Sequence, residues 1–259
     1  AWSCFYDISV SPNEPNEDPG PFKWRQPARY IANNNNYFGW DEISVHDKTP
    51  LLADDWPCND DRPVTAINWW GSFKVRPADP GMAGPGWIAP VLPPTPPSGF
   101  HIAIWTDVPG HVQDITIFSH PDEMIWEQTC RDYRWEFVGF DRDPVPTCGA
   151  PPGSPVDACF RFSVDLNPNF AQDPDNNSVY WLTIAAIYDD DPLNPPEFEW
   201  GWKTRPHFFN DQAVRITALD SSTWPPTAGD KWTDGTPVQL PQSIPWDLSF
   251  ELITAEIGP

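Results

Sequence analysis

Apolar and polar positions alternate with a period of two along most of this chain, and that period predicts strands. Residues 1 to 10, AWSCFYDISV, put Trp2, Cys4, Tyr6, Ile8 and Val10 on one face. Beyond Pro63, Thr65, Ile67, Trp69 and Phe73 share one parity, while Val64, Ala66 and Trp70 share the other. Trp69 and Trp70 therefore face opposite ways, so a second element or a ligand must cover one of them. Phe100, Ile102 and Ile104 oppose His101, Ala103, Trp105 and Asp107, and Phe160, Phe162, Val164 and Leu166 oppose Arg161, Ser163 and Asp165. Residues 179 to 188 are apolar on both parities, the pattern of a central strand covered on both sides. Trp200 and Trp202 share a face, Val214, Ile216 and Ala218 form a further strand, and Leu248, Phe250 and Leu252 point inward from the last one. Residues 119 to 133 suit a capped helix or a strand, and the strand is preferred.

Turn residues punctuate these runs. The chain carries 35 Pro and 15 Gly, too much proline for a mainly helical fold. Some ten strands between turn clusters predict an all-β, antiparallel β-sandwich, jelly-roll-like, with long Pro/Gly-rich loops. Residues 1 to 21 read as an N-terminal strand on a Pro-rich acidic tether, and residues 22 to 259 as one domain. The stretch ADDWPCNDD reads as an acidic turn in which Asp54, Asp55, Asp60 and Asp61 crowd together before the strand that carries the tryptophan pair.

Charge narrows the partners. With 37 acidic against 15 basic residues the net charge is −22, a sign that repels phosphate backbones and anionic lipids. Neither nucleic acid nor membrane insertion is expected, and no apolar run reaches the ~18 residues of a spanning helix. The sequence opens at Ala1 without a basic and apolar leader, as expected of an exported chain whose signal has been removed. Five cysteines lie in or beside predicted turns and strand ends, without a CxxC pair. In an oxidising compartment they suggest two bridges and one thiol left over, with Cys148 and Cys159 preferred for their short Pro/Gly-rich separation. Cys58 and Cys130 are the other candidates, and Cys4 belongs to the first strand.

The chain contains no GxSxG, HExxH, P-loop or GxGxxG motif, so no catalytic residue is assigned. Its five histidines are scattered, with no spacing that suggests a shared metal. Glu197 and Glu199, two apart beside Trp200, have a spacing a glycosidase pair could use, but with so many carboxylates chance neighbours are expected. Asp173, Asp175 and Asn177 have D-x-D-x-N spacing, yet Ser178 and Ile184 stand where an EF-hand needs Gly and Glu. Cofactors are therefore none, or a structural Ca²⁺ on loop oxygens of these residues, of Asp189, Asp190 and Asp191, or of Asp54 and Asp55. Asn176 begins a glycosylation sequon. Trp69, Trp70, Trp105, Trp200 and Trp202 would stack on sugar rings if exposed, or otherwise fill a core or an interface.

The ADD-aromatic stretch, the WWGSF strand end, FHIAIWTDVPG, YWLTIAAIY and WDLSFELIT together resemble a group of uncharacterised bacterial secreted β-sandwich proteins, often associated with a PEP-CTERM sorting signal. The resemblance spans most of residues 50 to 254. It implies export and a jelly-roll-like sandwich, and it brings no known catalytic residues. The end of the chain, ELITAEIGP, departs from the pattern in lacking an apolar helix and a basic tail. The expectation is a non-catalytic extracellular or cell-surface structural module. It would self-assemble into a fibre or matrix by adding Trp2, Cys4, Tyr6, Ile8 and Val10 as a strand to copies of itself or to other matrix components. The alternative is a carbohydrate-binding module that grips polysaccharide with the five tryptophans; a glycosidase stands behind that.

Overall fold

The computed structural model describes residues 21–31, 36–76, 85–110, 118–142, 157–189, 196–221, 224–240 and 244–254. Predictions for the N-terminal strand, Cys148, Asp190 and Asp191 lie outside these residues. Strands account for the regular structure: Phe22–Gln26 (β1), Arg29–Ile31 (β2), Asn36–Phe38 (β3), Asp41–Ile43 (β4), Leu51–Pro57 (β5), Val64–Lys74 (β6), Gly99–Val108 (β7), His120–Cys130 (β8) and Arg134–Arg142 (β9) come first. Ala158–Phe170 (β10), Val179–Ile187 (β11), Glu199–Pro206 (β12), Val214–Leu219 (β13), Trp232–Pro237 (β14), Gln239–Leu240 (β15), Ile244–Leu248 (β16) and Phe250–Ile253 (β17) follow.

These strands form two sheets that pack as a β-sandwich. The smaller runs β14-β13-β5-β11-β7-β8. The larger runs β15-β16-β12-β6-β10-β9-β3-β2, with β17 and β1 continuing from β6 and β4 pairing with β12. All pairs are antiparallel except β3 with β9. The segment 119 to 133, ambiguous as sequence, holds the edge strand β8.

The alternation read from the sequence sorts side chains between the layers. Ile67, Trp69 and Phe73 of β6, Phe160 and Phe162 of β10, Trp200 and Trp202 of β12 and Phe250 of β17 face the small sheet, meeting Phe100, Ile102, Ile104, Leu182 and Ile184. Aromatic rings dominate the seam. Phe100 lies 5.0 Å from Trp69 and 5.1 Å from Trp200, both edge-on, the arrangement that sets a positive ring edge against a negative face. β11, between β5 and β7, is buried on both faces, as its unbroken apolar run predicts.

The outer faces are covered too. On the small sheet Ala53, Ala103, Trp105, Trp181 and Val214 form a second apolar layer under Phe118, Trp224 and Trp232. On the large sheet Trp70 and Cys159 lie beneath Ala28, Tyr37 and Val138. The molecule is therefore a sandwich with additional cover on each side.

Two expectations for the opening acidic stretch change here. Asp54 and Asp55 are not in a turn: both lie within β5 and are fully buried. Asp54 fits because its carboxylate takes up buried donors. Its Oδ2 accepts from Gln26 Nε2 at 2.7 Å and from the Leu248 amide at 2.5 Å, which a strand interior otherwise could not tolerate. Trp56, read as a loop residue, is likewise buried in β5.

Candidate functional site

The densest chemistry in the described residues lies on the outer face of the large sheet, around Lys203. Its strand, β12, alternates Trp200 and Trp202 inward with Glu199, Gly201 and Lys203 outward. The segment β3 to β4 then folds over that outward face: β3 pairs with β9, and β4 pairs with β12 so that Asp41 is the register partner of Lys203. The lysine is thereby sealed in. Its ammonium lies 2.7 Å from Asp141 Oδ1 and 3.6 Å from Asp41 Oδ2, with all three side chains fully buried, and it donates to the Gly39 carbonyl at 2.8 Å. Ser72 donates to Asp141 Oδ2 at 2.5 Å. Beside them Lys74 pairs with Asp157 at 2.9 Å, and Gly86 leaves the room that the Asp157 carboxylate occupies.

Charge balance explains the protonation of this cluster. Three carboxylates against two ammonium groups would leave one net negative charge in a dry interior, a cost usually avoided by neutralisation. Burial, and next the charge of Asp141, push the Asp41 carboxyl well above its ordinary value, the direction that relieves this excess. Burial pulls Lys203 the other way, but the charge of Asp141 leads the interactions that outweigh it and keep the ammonium above its usual value. Cys159, also fully buried, has its thiol pushed up by burial and then by Asp141, so it is a neutral neighbour.

Carboxylate oxygens of Asp41, Asp141 and Asp157 lie within 4.8 Å of one another, close enough in distance to hold a cation. The two lysines already supply the positive charge there. A hard divalent ion needs six to eight oxygen ligands and would have to displace both ammonium groups, so the residues present do not fit it.

A second buried polar cluster joins the sheets around the middle of β5. Asp55 Oδ2 accepts from Asn210 at 2.7 Å. Asp247 accepts from His207 at 2.8 Å and from the Phe208 amide at 2.6 Å. Burial and the charge of Asp247 raise Asp54 well above its ordinary value. On the outer face of the small sheet, His46 and His101 stack with centroids 4.3 Å apart, and His101 contacts Glu127 at 2.8 Å. Two of the scattered histidines thus meet in space.

The remaining predicted site residues behave differently from expectation. Trp69, Trp105, Trp200 and Trp202 are fully buried and Trp70 is 7% exposed, so these five do not form a sugar platform. Glu197 is exposed, whereas Glu199 is buried and held by Lys48 at 2.6 Å and by Arg76, so the two are not a matched acid and base. Asp173, Asp175 and Asn177 sit in a turn that uses its own oxygens: the Asp173 carbonyl accepts from the Asn177 amide at 2.9 Å and its carboxylate from the Asn176 side chain at 2.6 Å. Asp189 is exposed and pairs with Arg131 at 3.2 Å. No disulfide occurs among the described residues: Cys58, Cys130 and Cys159 are free and buried. The bridge expected at Cys159 is replaced by packing against Ala28 and Trp70.

Sequence reasoning missed Lys203, Lys74, Asp41, Asp141 and Asp157. The signal available was faint: Lys203 stands at the outward parity of β12, whose inward parity carries Trp200 and Trp202.

Fold and site together define an all-β sandwich whose large sheet carries a sealed layer of paired charges. Residues 22–253 match a domain of unknown function (DUF7901), and the chain belongs to that family. No curated protein and no solved structure matches it.

Proposed function

We propose that this protein is a non-catalytic extracellular or cell-surface structural module that assembles through its N-terminal strand. The observation that carries the reading is the position of β1. This strand pairs with β17 alone, and its other edge has no strand partner, among the described residues. Pro21, just before β1, accepts from the Thr254 amide at 2.7 Å, so the segment that the sequence predicts as strand and tether joins the fold beside that edge. An open edge is a template for an added strand, with backbone bonds supplying affinity and alternate side chains supplying register.

Burial of the reactive side chains supports the same reading. The five tryptophans that would bind polysaccharide are buried, and of the two glutamates Glu199 is buried in ion pairs with Lys48 and Arg76 while Glu197 is exposed. Extracellular placement rests on the sequence resemblance and the acidic composition.

Size-exclusion chromatography with light scattering, and negative-stain microscopy, test the proposal on the full chain and on a chain beginning at Phe22. The full chain should form oligomers or fibres and the shortened one should be monomeric. Identical monomers from both would overturn the assembly claim.

A further inference from the structure

The structure assigns a covalent modification site: we propose that Lys203 and Asp141 join through an intramolecular amide bond between Nζ and Cγ, with Asp41 carrying the proton. The inference stands whether or not the chain assembles.

Three features of the site support it. The first is proximity. An ammonium 2.7 Å from Oδ1 places its nitrogen on the order of 3 to 3.5 Å from the carboxyl carbon, the range of a near-attack arrangement. The second is dryness. Lys203, Asp141 and Asp41 are fully buried, and expelled water both favours an uncharged amine-acid pair and prevents the product from hydrolysing. The third is the proton carrier. Asp41 is within reach of both reacting groups, with Oδ2 3.6 Å from the Lys203 ammonium and a side-chain hydrogen bond to Asp141, and burial and then the charge of Asp141 push its carboxyl toward the protonated form.

The chemistry balances within these residues. Within the contact, a proton passes from the Lys203 ammonium to the Asp141 carboxylate, giving a neutral amine and a neutral acid. The Asp141 carboxylate in contact with the ammonium is the acceptor through which the free amine arises. The nitrogen lone pair then attacks Cγ, forming the N–C bond and moving the carbonyl electron pair onto oxygen. Asp41 gives its proton to the departing hydroxyl, the C–O bond breaks and water leaves. The surplus nitrogen proton returns Asp41 to its acid form. The sum is an ammonium plus a carboxylate giving an amide plus water, with no oxidant or external reactant. Ser72, donating to Asp141 Oδ2, stabilises charge on that oxygen as the tetrahedral intermediate forms.

The bond would tie β12 to β9 across the two strands between them, β6 and β10. A cross-link at this position prevents the large sheet from separating strand by strand.

Intact-mass spectrometry of the denatured full chain tests the proposal, followed by tandem mass spectrometry of its proteolytic peptides. The chain should weigh one water less than its sequence, and a branched peptide should join Lys203 to Asp141. Lys203→Arg should return the full mass, and Asp41→Asn should lower the cross-linked fraction at least tenfold. A native chain at full mass, whether or not it retains a bound cation, reduces the cluster to an ion pair and overturns the proposal. So does a water loss that persists in Lys203→Arg or maps elsewhere, as to a cyclised Asp234 before Gly235. Cross-linking at the native level in Asp41→Asn overturns the role of Asp41. Should Lys203→Arg not fold, the peptide assignment in the native chain decides the matter alone.

Discussion

Trp69 and Trp70 are consecutive in β6, point to opposite faces, and are both buried. Trp69 stacks on Phe162 with centroids 5.7 Å apart inside the sandwich, while Trp70 lies on the outer face with the Arg161 guanidinium 5.7 Å from its ring and Ala28 and Cys159 packed against it. The second covering element that the alternation demanded is thus a short segment after β1, not a ligand. Trp69→Ala should cost about 3 to 5 kcal/mol, the range for a fully enclosed aromatic. Trp70→Ala should cost less, because its cover is thin and can partly collapse into the gap. Urea denaturation of the two variants should order them this way, and the reverse order would place the main core on the wrong face of β6.

Gly71 fixes the close approach of β6 and β12. A Cβ at this position would stand 2.3 Å from the Gly201 carbonyl oxygen and 2.3 Å from Trp200 Nε1, neither of which can yield cheaply. Gly71→Ala should therefore destabilise by about 3 kcal/mol or leave the chain insoluble, through overpacking. Gly229 offers a contrast: nothing lies within 4 Å of an added Cβ, but its φ is +97°. Gly229→Ala should cost only about 1 kcal/mol, for backbone strain alone. Thermal melts of both read the difference.

How much of this was legible depended on what covers each strand. The inward residues of β6, β7, β10 and β17 could be read directly, because a strand packed on one face keeps a clean period of two. Residues hidden by a segment distant in sequence could not. Lys203 and Asp54 look solvated in their local context, since charged side chains seldom enter a core unpaired. Their partners Asp141, Asp41 and Gln26 lie far away along the chain, in segments whose own patterns say nothing of the contact. The disulfide expectation failed for a related reason: short loop separation suggested proximity, while Cys159, the second residue of β10, has its side chain packed against Ala28 and Trp70.

Gln26 links three strands, so its loss should exceed that of an ordinary surface residue. Its amide donates to Asp54 Oδ2 at 2.7 Å and to the Leu248 carbonyl at 2.8 Å, and its oxygen accepts from Trp24 Nε1 at 2.6 Å. Gln26→Leu retains most of the volume but orphans all three groups, at about 1 to 3 kcal/mol for each that finds no water. A total of roughly 2 to 4 kcal/mol is expected, against about 1 kcal/mol for Arg25→Ala, whose guanidinium is half-exposed and whose buried partner Glu251 keeps its bond from the Asn68 amide. Chemical denaturation should separate the two.

Cys58, Cys130 and Cys159 should behave as protected thiols. Cys130 is raised to about 11 by burial, and Cys159 is pushed well above its ordinary value by burial and then Asp141, so little thiolate is present at neutral pH to react. An alkylating reagent added to the native chain without reductant should leave these three unmodified. The same reagent in denaturant should tag all three, again without reductant. Peptide mapping that found Cys159 blocked in the denatured, unreduced chain would restore the disulfide.

The stacked His46 and His101 give the protein an acid sensitivity whose sign can be worked out. Burial, and then the neighbouring His101, lower His46 from its ordinary 6.5 to about 4, so between those values the unfolded chain binds a proton that the folded one rejects. Stability therefore rises with pH across this window: the contribution of neutral His46 is fully present above about pH 6.5 and lost progressively as pH falls toward 4. His46→Gln keeps a neutral polar group and removes the titration. The native chain should lose on the order of 1 to 2 kcal/mol more than the variant on going from pH 7 to pH 5. Urea denaturation of both at the two pH values reads the difference, and parallel losses would show that the stacked pair is not what acid disrupts.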